Sequence, residues 1–172
     1  MSRYIIPVLL FILFVMEGTV FQIFAPGRGA DSWQLIPRFM LIGILFVGIF
    51  RGRSHSIFYA VLFGALYDIV YAPVLGVNTF GFGFAAYLFS ISNSFIKRRP
   101  MLIVLLITAG VILVEYYMYG LMLLLGLTEQ PHQELFQQRF LPSFIMNAAV
   151  AAAVVYPVRW FFYSVDGMEE ER

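Results

Sequence analysis

Six apolar stretches occupy most of this chain, at about residues 4–25, 35–50, 56–70, 76–94, 101–126 and 140–163, with short loops between them. Crossing a bilayer takes about 20 apolar residues in a helix. In hydrocarbon the backbone must satisfy its own N–H and C=O groups, which leaves helices or a closed barrel. Composition points the same way: the 172 residues are 61% hydrophobic and only 12% charged, against about 25% charged in a soluble domain. The expected fold is all-α, a polytopic membrane protein of six transmembrane helices forming a single domain over residues 1–172 with no extramembrane domain. A signal peptide competes for the first stretch, because Arg3 precedes an apolar run. Its length, the interruption by Glu17 and the lack of an Ala-x-Ala site after it argue for a retained span. The chain has no cysteine, which removes disulfides and thiolate metal sites from consideration.

Placement of charge carries more information than the net charge of +1. With six spans, Arg3, Arg51, Arg53, Lys97, Arg98, Arg99, Arg159 and Arg172 fall on one side, and Arg28, Arg38 and Arg139 on the other. Lys and Arg accumulate in cytoplasmic loops, so both termini are expected in the cytoplasm. The basic loops 51–53 and 97–99 set topology and touch anionic headgroups of membrane lipid. His55 and His132 are expected in solvated loops.

That orientation assigns depth. At about 1.5 Å per residue, Glu17, Asp68 and Glu115 lie roughly 20, 18 and 21 Å from the cytoplasmic ends of their helices. All three therefore fall in the outer half of a hydrocarbon core about 30 Å thick. Arg38 and Arg139 open helices entering from outside and belong to the same layer. Ionisable groups at this depth face the bundle interior, so three carboxylates and two guanidinium groups are expected to pair between helices. Arginine suits the task through its planar, bidentate fork. Asn78 and Asn147 are read as helix–helix hydrogen bonds. There is a faint repeat: Glu17 precedes Arg38-Phe39 by 21 residues, and Glu115 precedes Arg139-Phe140 by 24. Depth is legible here and azimuth is not, so individual pairs stay open.

The stretch 64–83, GALYDIVYAPVLGVNTFGFG, reads as a central helical hairpin. Asp68 ends one arm, a Pro-Gly turn follows, and Asn78 opens the other. Gly81 to Ala85 has the small-xxx-small spacing that lets helices approach closely, and Pro37 suits the first turn of the second helix. These features serve helix register as well as they serve a partner-binding or ligand-binding pocket at the outer face. Ion translocation fits poorly, because the cytoplasmic half has little polar content. Enzyme signatures are missing: there is no zinc-binding His-Glu-x-x-His, nucleophile elbow, phosphate loop or dinucleotide fingerprint. Tyr67-Asp68 matches half of an intramembrane aspartyl dyad, but Gly81-Phe82-Gly83-Phe84 lacks the second aspartate that such chemistry shares its proton with. No enzyme activity, catalytic residue, metal or cofactor is expected, and no nucleic acid partner.

Several residues in order carry a family resemblance: Glu17, then Pro37-Arg38-Phe39, then Gly64-x-x-x-Asp68 with Pro73-x-Leu75-Gly76 and Asn78. Glu115-Tyr116 and Arg139-Phe140-x-Pro142 complete the series. Over nearly its whole length the chain resembles the rod shape-determining protein MreD family. The resemblance implies a non-catalytic subunit of the bacterial cell-elongation machinery. Such a subunit lies in the cytoplasmic membrane beside MreC and the actin-like MreB, with RodA and its penicillin-binding partner, in lateral peptidoglycan synthesis. It also implies a fold like the substrate-binding subunits of energy-coupling-factor transporters. Those subunits typically carry Ala-x-x-x-Ala in the first helix, which here reads Ile5-Ile6-Pro7-Val8-Leu9 and onward. The expected role is a scaffold in which Glu17, Arg38, Asp68, Glu115 and Arg139 shape a cavity or surface that holds the membrane helix and juxtamembrane segment of MreC. The alternative is a vitamin or small-molecule transporter subunit, its pocket lined by the same residues plus Asn78 and Asn147.

Overall fold

The computed structural model describes residues 4–24, 35–128 and 131–170. Among them the chain is helical, with no strand. The helices are α1 (Ile5–Phe24), α2 (Phe39–Arg51), α3 (Arg53–Tyr71), α4 (Val77–Phe89), the short α5 (Ser94–Arg98), α6 (Pro100–Leu124), the one-turn α7 (His132–Leu135) and α8 (Leu141–Glu170). A π-helical turn, Phe136–Phe140, joins α7 to α8. Trp33 and the rest of the loop 26–34 lie outside the described residues.

The centre of the bundle is α2. Its sequence FMLIGILFVGIFR has no polar face, and a helix apolar all round belongs in the interior. Met40 to Phe50 are accordingly buried, apart from a partly exposed Gly43. Around it stand α1, α3, α4, α6 and α8, with α3 against α4 and α6 against α8 as the closest pairs. Three helical stretches are long and apolar enough to cross a membrane: Arg53–Tyr71, Pro100–Leu124 and the continuous run His132–Ser164. Three others are apolar but shorter, Ile5–Thr19, Phe39–Arg51 and Val77–Phe89. The 13 residues of α2 extend about 20 Å, short of a hydrocarbon core of about 30 Å.

Where the helices begin departs from the expectations above. Pro37 stands before α2 rather than in its first turn, because residues 35–38 are not helical. The fourth stretch is helical only to Phe89, and after the break over Ser90–Asn93 the short α5 occupies the segment expected as a basic loop. The sixth begins earlier than residue 140, since the loop expected there is helical from His132. His132 is exposed but not merely solvated: its ring stacks on Tyr116 and on Phe136, centroids 5.8 and 6.1 Å apart.

Close packing of α3 on α4 depends on Gly64. A Cβ built there would stand 2.7 Å from the Cα of Thr79 and 3.0 Å from the carbonyl oxygen of Asn78. These are backbone atoms, so no rotamer change relieves the clash. Gly83 is not such a contact, its nearest neighbour being a Val61 methyl at 3.8 Å, while Gly81 faces the ring of Tyr117 on α6. At the hairpin bend Gly76 holds φ +92°, a left-handed conformation cheap only for glycine. On the other side of α3, Ser56 donates to the Ile44 carbonyl at 2.9 Å and accepts from Ser90 at 2.8 Å, which ties α2, α3 and α4 together. Gly64→Ala is expected to destabilise the protein by about 1–3 kcal/mol through overpacking, and Gly83→Ala by much less. Thermal unfolding of the two variants in detergent checks this, and equal midpoints would sink it.

Candidate functional site

The starts of α2 and α4 define the chemistry of this region. A helix begins with four N–H groups that lack intrahelical acceptors, and inside a bilayer no water replaces them. Neither helix has a capping side chain at its own N-cap, where Arg38 and Gly76 stand. Each receives a carboxylate from the helix before it.

Asp68 serves α4. Its oxygens accept from the backbone N–H of Gly76 at 3.0 Å, Asn78 at 2.8 Å and Thr79 at 3.0 Å. They also accept from the Asn78 side-chain amide at 3.0 Å and the Thr79 hydroxyl at 2.6 Å. Asn78 and Thr79 are the second and third residues of the helix, the positions an N-cap oxygen normally serves, and a negative charge there complements the helix dipole. Asp68 is expected to be satisfied by other helices, within a carboxylate–arginine network whose individual pairs stay open. Among the described residues its hydrogen bonds all come from its own hairpin, because the turn at 72–76 folds α4's first N–H groups onto it.

Glu17 serves α2 in the same way. One oxygen accepts from the Met40 N–H at 2.7 Å and the other from the Tyr67 hydroxyl. Here the cap comes from α1 and is steadied by α3.

Glu115 does different work. It sits on α6, 1% exposed, and pairs with Arg38 through a 2.6 Å contact from Nε. Its second oxygen lies 3.6 Å from Nη2 of Arg139, an ion pair beyond hydrogen-bond range. The π-helical turn carries Arg139; such turns occur frequently at functional sites. Asn147 of α8 fixes the non-helical entry to α2. Its oxygen accepts from the Arg38 N–H at 2.9 Å, and its amide donates to the carbonyls of Ile36 at 2.9 Å and Ser143 at 2.8 Å. The Ser143 hydroxyl accepts from the Ile36 N–H at 3.0 Å.

The sequence-predicted residues therefore divide. Arg38, Glu115 and Arg139 form one ionic group, Glu17 approaches it through the first turn of α2, and Asp68 with Asn78 forms a separate cap. A cavity of about 280 Å³ lies between the two groups. Glu17, Arg38, Tyr67, Asn78, Met118 and Arg139 are among its walls. Two buried atoms of those wall residues, Oδ1 of Asn78 and Nε of Arg139, have no hydrogen-bond partner among the described residues. Sequence reasoning missed Tyr67 and Thr79, whose hydroxyls donate to Glu17 and Asp68, and Ser143, which accepts from Ile36. Tyr67 had a signal, as its position beside Asp68 places it one residue from a buried acid. The π-helical turn had none.

Apolar helices, three of them long enough to cross a bilayer, tied together by the buried Glu17, Arg38, Asp68 and Glu115, define a membrane protein with an internal ionic framework. The family model for the rod shape-determining protein MreD matches residues 2–165, and the chain belongs to that family. It is similar to the rod shape-determining protein MreD of Bacillus subtilis (strain 168), with 29% identity over 165 residues, 96% of each chain. No solved structure matches it.

The capping geometry makes a graded prediction. Asp68→Ala leaves the N–H groups of Asn78 and Thr79 without an acceptor and is expected to cost about 3 kcal/mol in all. Glu17→Gln retains an acceptor for Met40 and is expected to cost only about 1 kcal/mol. Thermal unfolding in detergent ranks them, and a Glu17→Gln variant less stable than Asp68→Ala would refute the capping roles.

Proposed function

We propose that this chain is a non-catalytic scaffold of the bacterial cell-elongation complex that helps maintain rod shape and lateral peptidoglycan synthesis. Membership of the MreD family over residues 2–165 carries the reading. In this reading the chain crosses the cytoplasmic membrane six times, the three shorter apolar helices completing the set, and both termini face the cytoplasm. The partner is an MreC-type single-span protein, within a wider assembly holding MreB, RodA and its penicillin-binding partner.

The cavity between the two caps is the proposed meeting place. Glu17, Arg38, Asp68, Asn78, Glu115, Arg139 and Asn147 hold its frame, and the open Asn78 oxygen and Arg139 Nε call for an occupant that both donates and accepts. A peptide main chain does both. The cavity's 280 Å³ suits a short segment entering from the outer face rather than a whole helix.

Charge swaps test this. Arg38→Glu leaves Glu115 buried without its closest partner, and breaking such a pair costs about 3–5 kcal/mol. Cells relying on the variant are expected to become round, and the variant to lose an MreC-type protein in a detergent pull-down. Adding Glu115→Arg to Arg38→Glu is expected to restore part of both. A rescue that never occurs, with both proteins present in the membrane, would refute the pairing. Recovery of a transporter's ATPase and coupling subunits with the wild-type chain would overturn the scaffold in favour of a vitamin or small-molecule transporter subunit.

A further inference from the structure

A second concavity, of about 480 Å³, runs along the bundle between α1 and α8 with α2 as its floor. It arises because α1 packs mainly on α2 while α8 packs mainly on α6, leaving a slot between them. Its walls include Leu10 and Leu13 of α1, Phe46 and Val47 of α2, and Val154 and Phe162 of α8. Among the described residues no charged or hydrogen-bonding side chain lines it. From Ile6 to Met16 it follows α1 for about 15 Å, which is one leaflet's share of a core about 30 Å thick. An extended hydrocarbon chain fits.

One end of the slot is cationic. There Phe162 stacks on Phe50 at 5.0 Å, and Lys97 donates to the Phe50 carbonyl at 2.9 Å. Arg159 reaches the Arg98 carbonyl at 3.3 Å and lies over the ring of Tyr163. Among the described residues Lys97 and Arg159 are held by carbonyl oxygens and a ring face, not by carboxylates, which leaves their charge to an anion. Basic groups beside an interhelical slot are the arrangement that holds acidic lipid headgroups.

We propose that this slot is a binding site for an anionic phospholipid, with one acyl chain along α2 and the phosphate against Lys97, Arg98 and Arg159. The site rests on the membrane-spanning reading above but not on assembly with other elongation proteins, so it can be tested apart from them. The full-length protein in mild detergent is mixed with equal amounts of phosphatidylglycerol and phosphatidylcholine of identical acyl chains. Retained lipid is then read by native mass spectrometry. Phosphatidylglycerol is expected to be retained about tenfold over phosphatidylcholine, and Arg98→Gln with Arg159→Gln to bring the two near parity. Val154→Trp, which fills the slot, is expected to remove both lipids without changing thermal stability in lipid-free detergent. If that variant does not fold, Leu9→Trp at the rim tests the same space from α1. Parity for the wild-type protein, or undiminished phosphatidylglycerol on a folded slot-filling variant, overturns the site. So does a photo-crosslinker at position 154 that captures a protein partner instead of lipid.

Discussion

Two short helices begin without a capping side chain of their own, and much of the buried polar structure answers that one constraint. A helix start exposes N–H groups, and in a membrane each one left unsatisfied costs several kcal/mol. With 13 residues each, α2 and α4 bring no acceptor for those groups themselves. Glu17 and Asp68 supply the missing acceptors, and each does so from the helix that precedes its client in the chain. A neutral cap would offer one acceptor. A carboxylate offers two oxygens and a charge that the helix dipole favours, which offsets the penalty of burying it.

That arrangement also explains the backbone around it. Asp68 reaches Asn78 and Thr79 only if α4 returns close against α3, so the hairpin needs Gly64 at the crossing and the left-handed Gly76 at the bend. For α2 the entry segment 35–38 is non-helical and carries its own unsatisfied groups. Such backbone is tolerated at membrane depth where protein buries it, and Asn147 and Ser143 of α8 do so by accepting from Arg38 and Ile36 and donating to Ile36. Arg38 then has its side chain free to reach Glu115. The cap, the entry segment and the ion pair are consecutive consequences of starting a helix in that place.

Much of this was legible in the sequence, at the level of layer rather than partner. Apolar runs gave six helical segments, and counting residues along them put Glu17, Asp68 and Glu115 at a common height. The pairing of Arg38 with Glu115 was among the open possibilities, while Asp68, expected to be satisfied by other helices, takes five hydrogen bonds from residues 76–79 of its own hairpin. The difference is physical. An acid in a membrane stretch signals only that something must satisfy it, and a backbone N–H leaves no mark in the sequence. Arginines stand out as letters, so they attract assignments that the turn at 72–76 had already taken. Boundaries failed for a related reason: Pro37 is compatible with a first helical turn, but tertiary hydrogen bonds from α8 hold that segment out of the helix. The π-helical turn at 136–140 has no compositional signature at all.

Shared depth among buried charges is therefore weak evidence of a ligand site. If short helices start at one level, their caps must gather at that level, whether or not anything binds there. Function is better sought in the groups that capping does not consume. Glu17 and Asp68 are used up by their helices, and Asn147 spends its oxygen and its amide on the entry segment. Arg139 is different: its contact with Glu115 is long at 3.6 Å, its Nε stays open among the described residues, and a π-helical turn holds it against the same cavity as the open oxygen of Asn78. Neither group is needed to complete α2 or α4. Oδ1 of Asn78 and Nε of Arg139 are thus the two buried atoms of this cavity's lining, among the described residues, that the caps of α2 and α4 leave open.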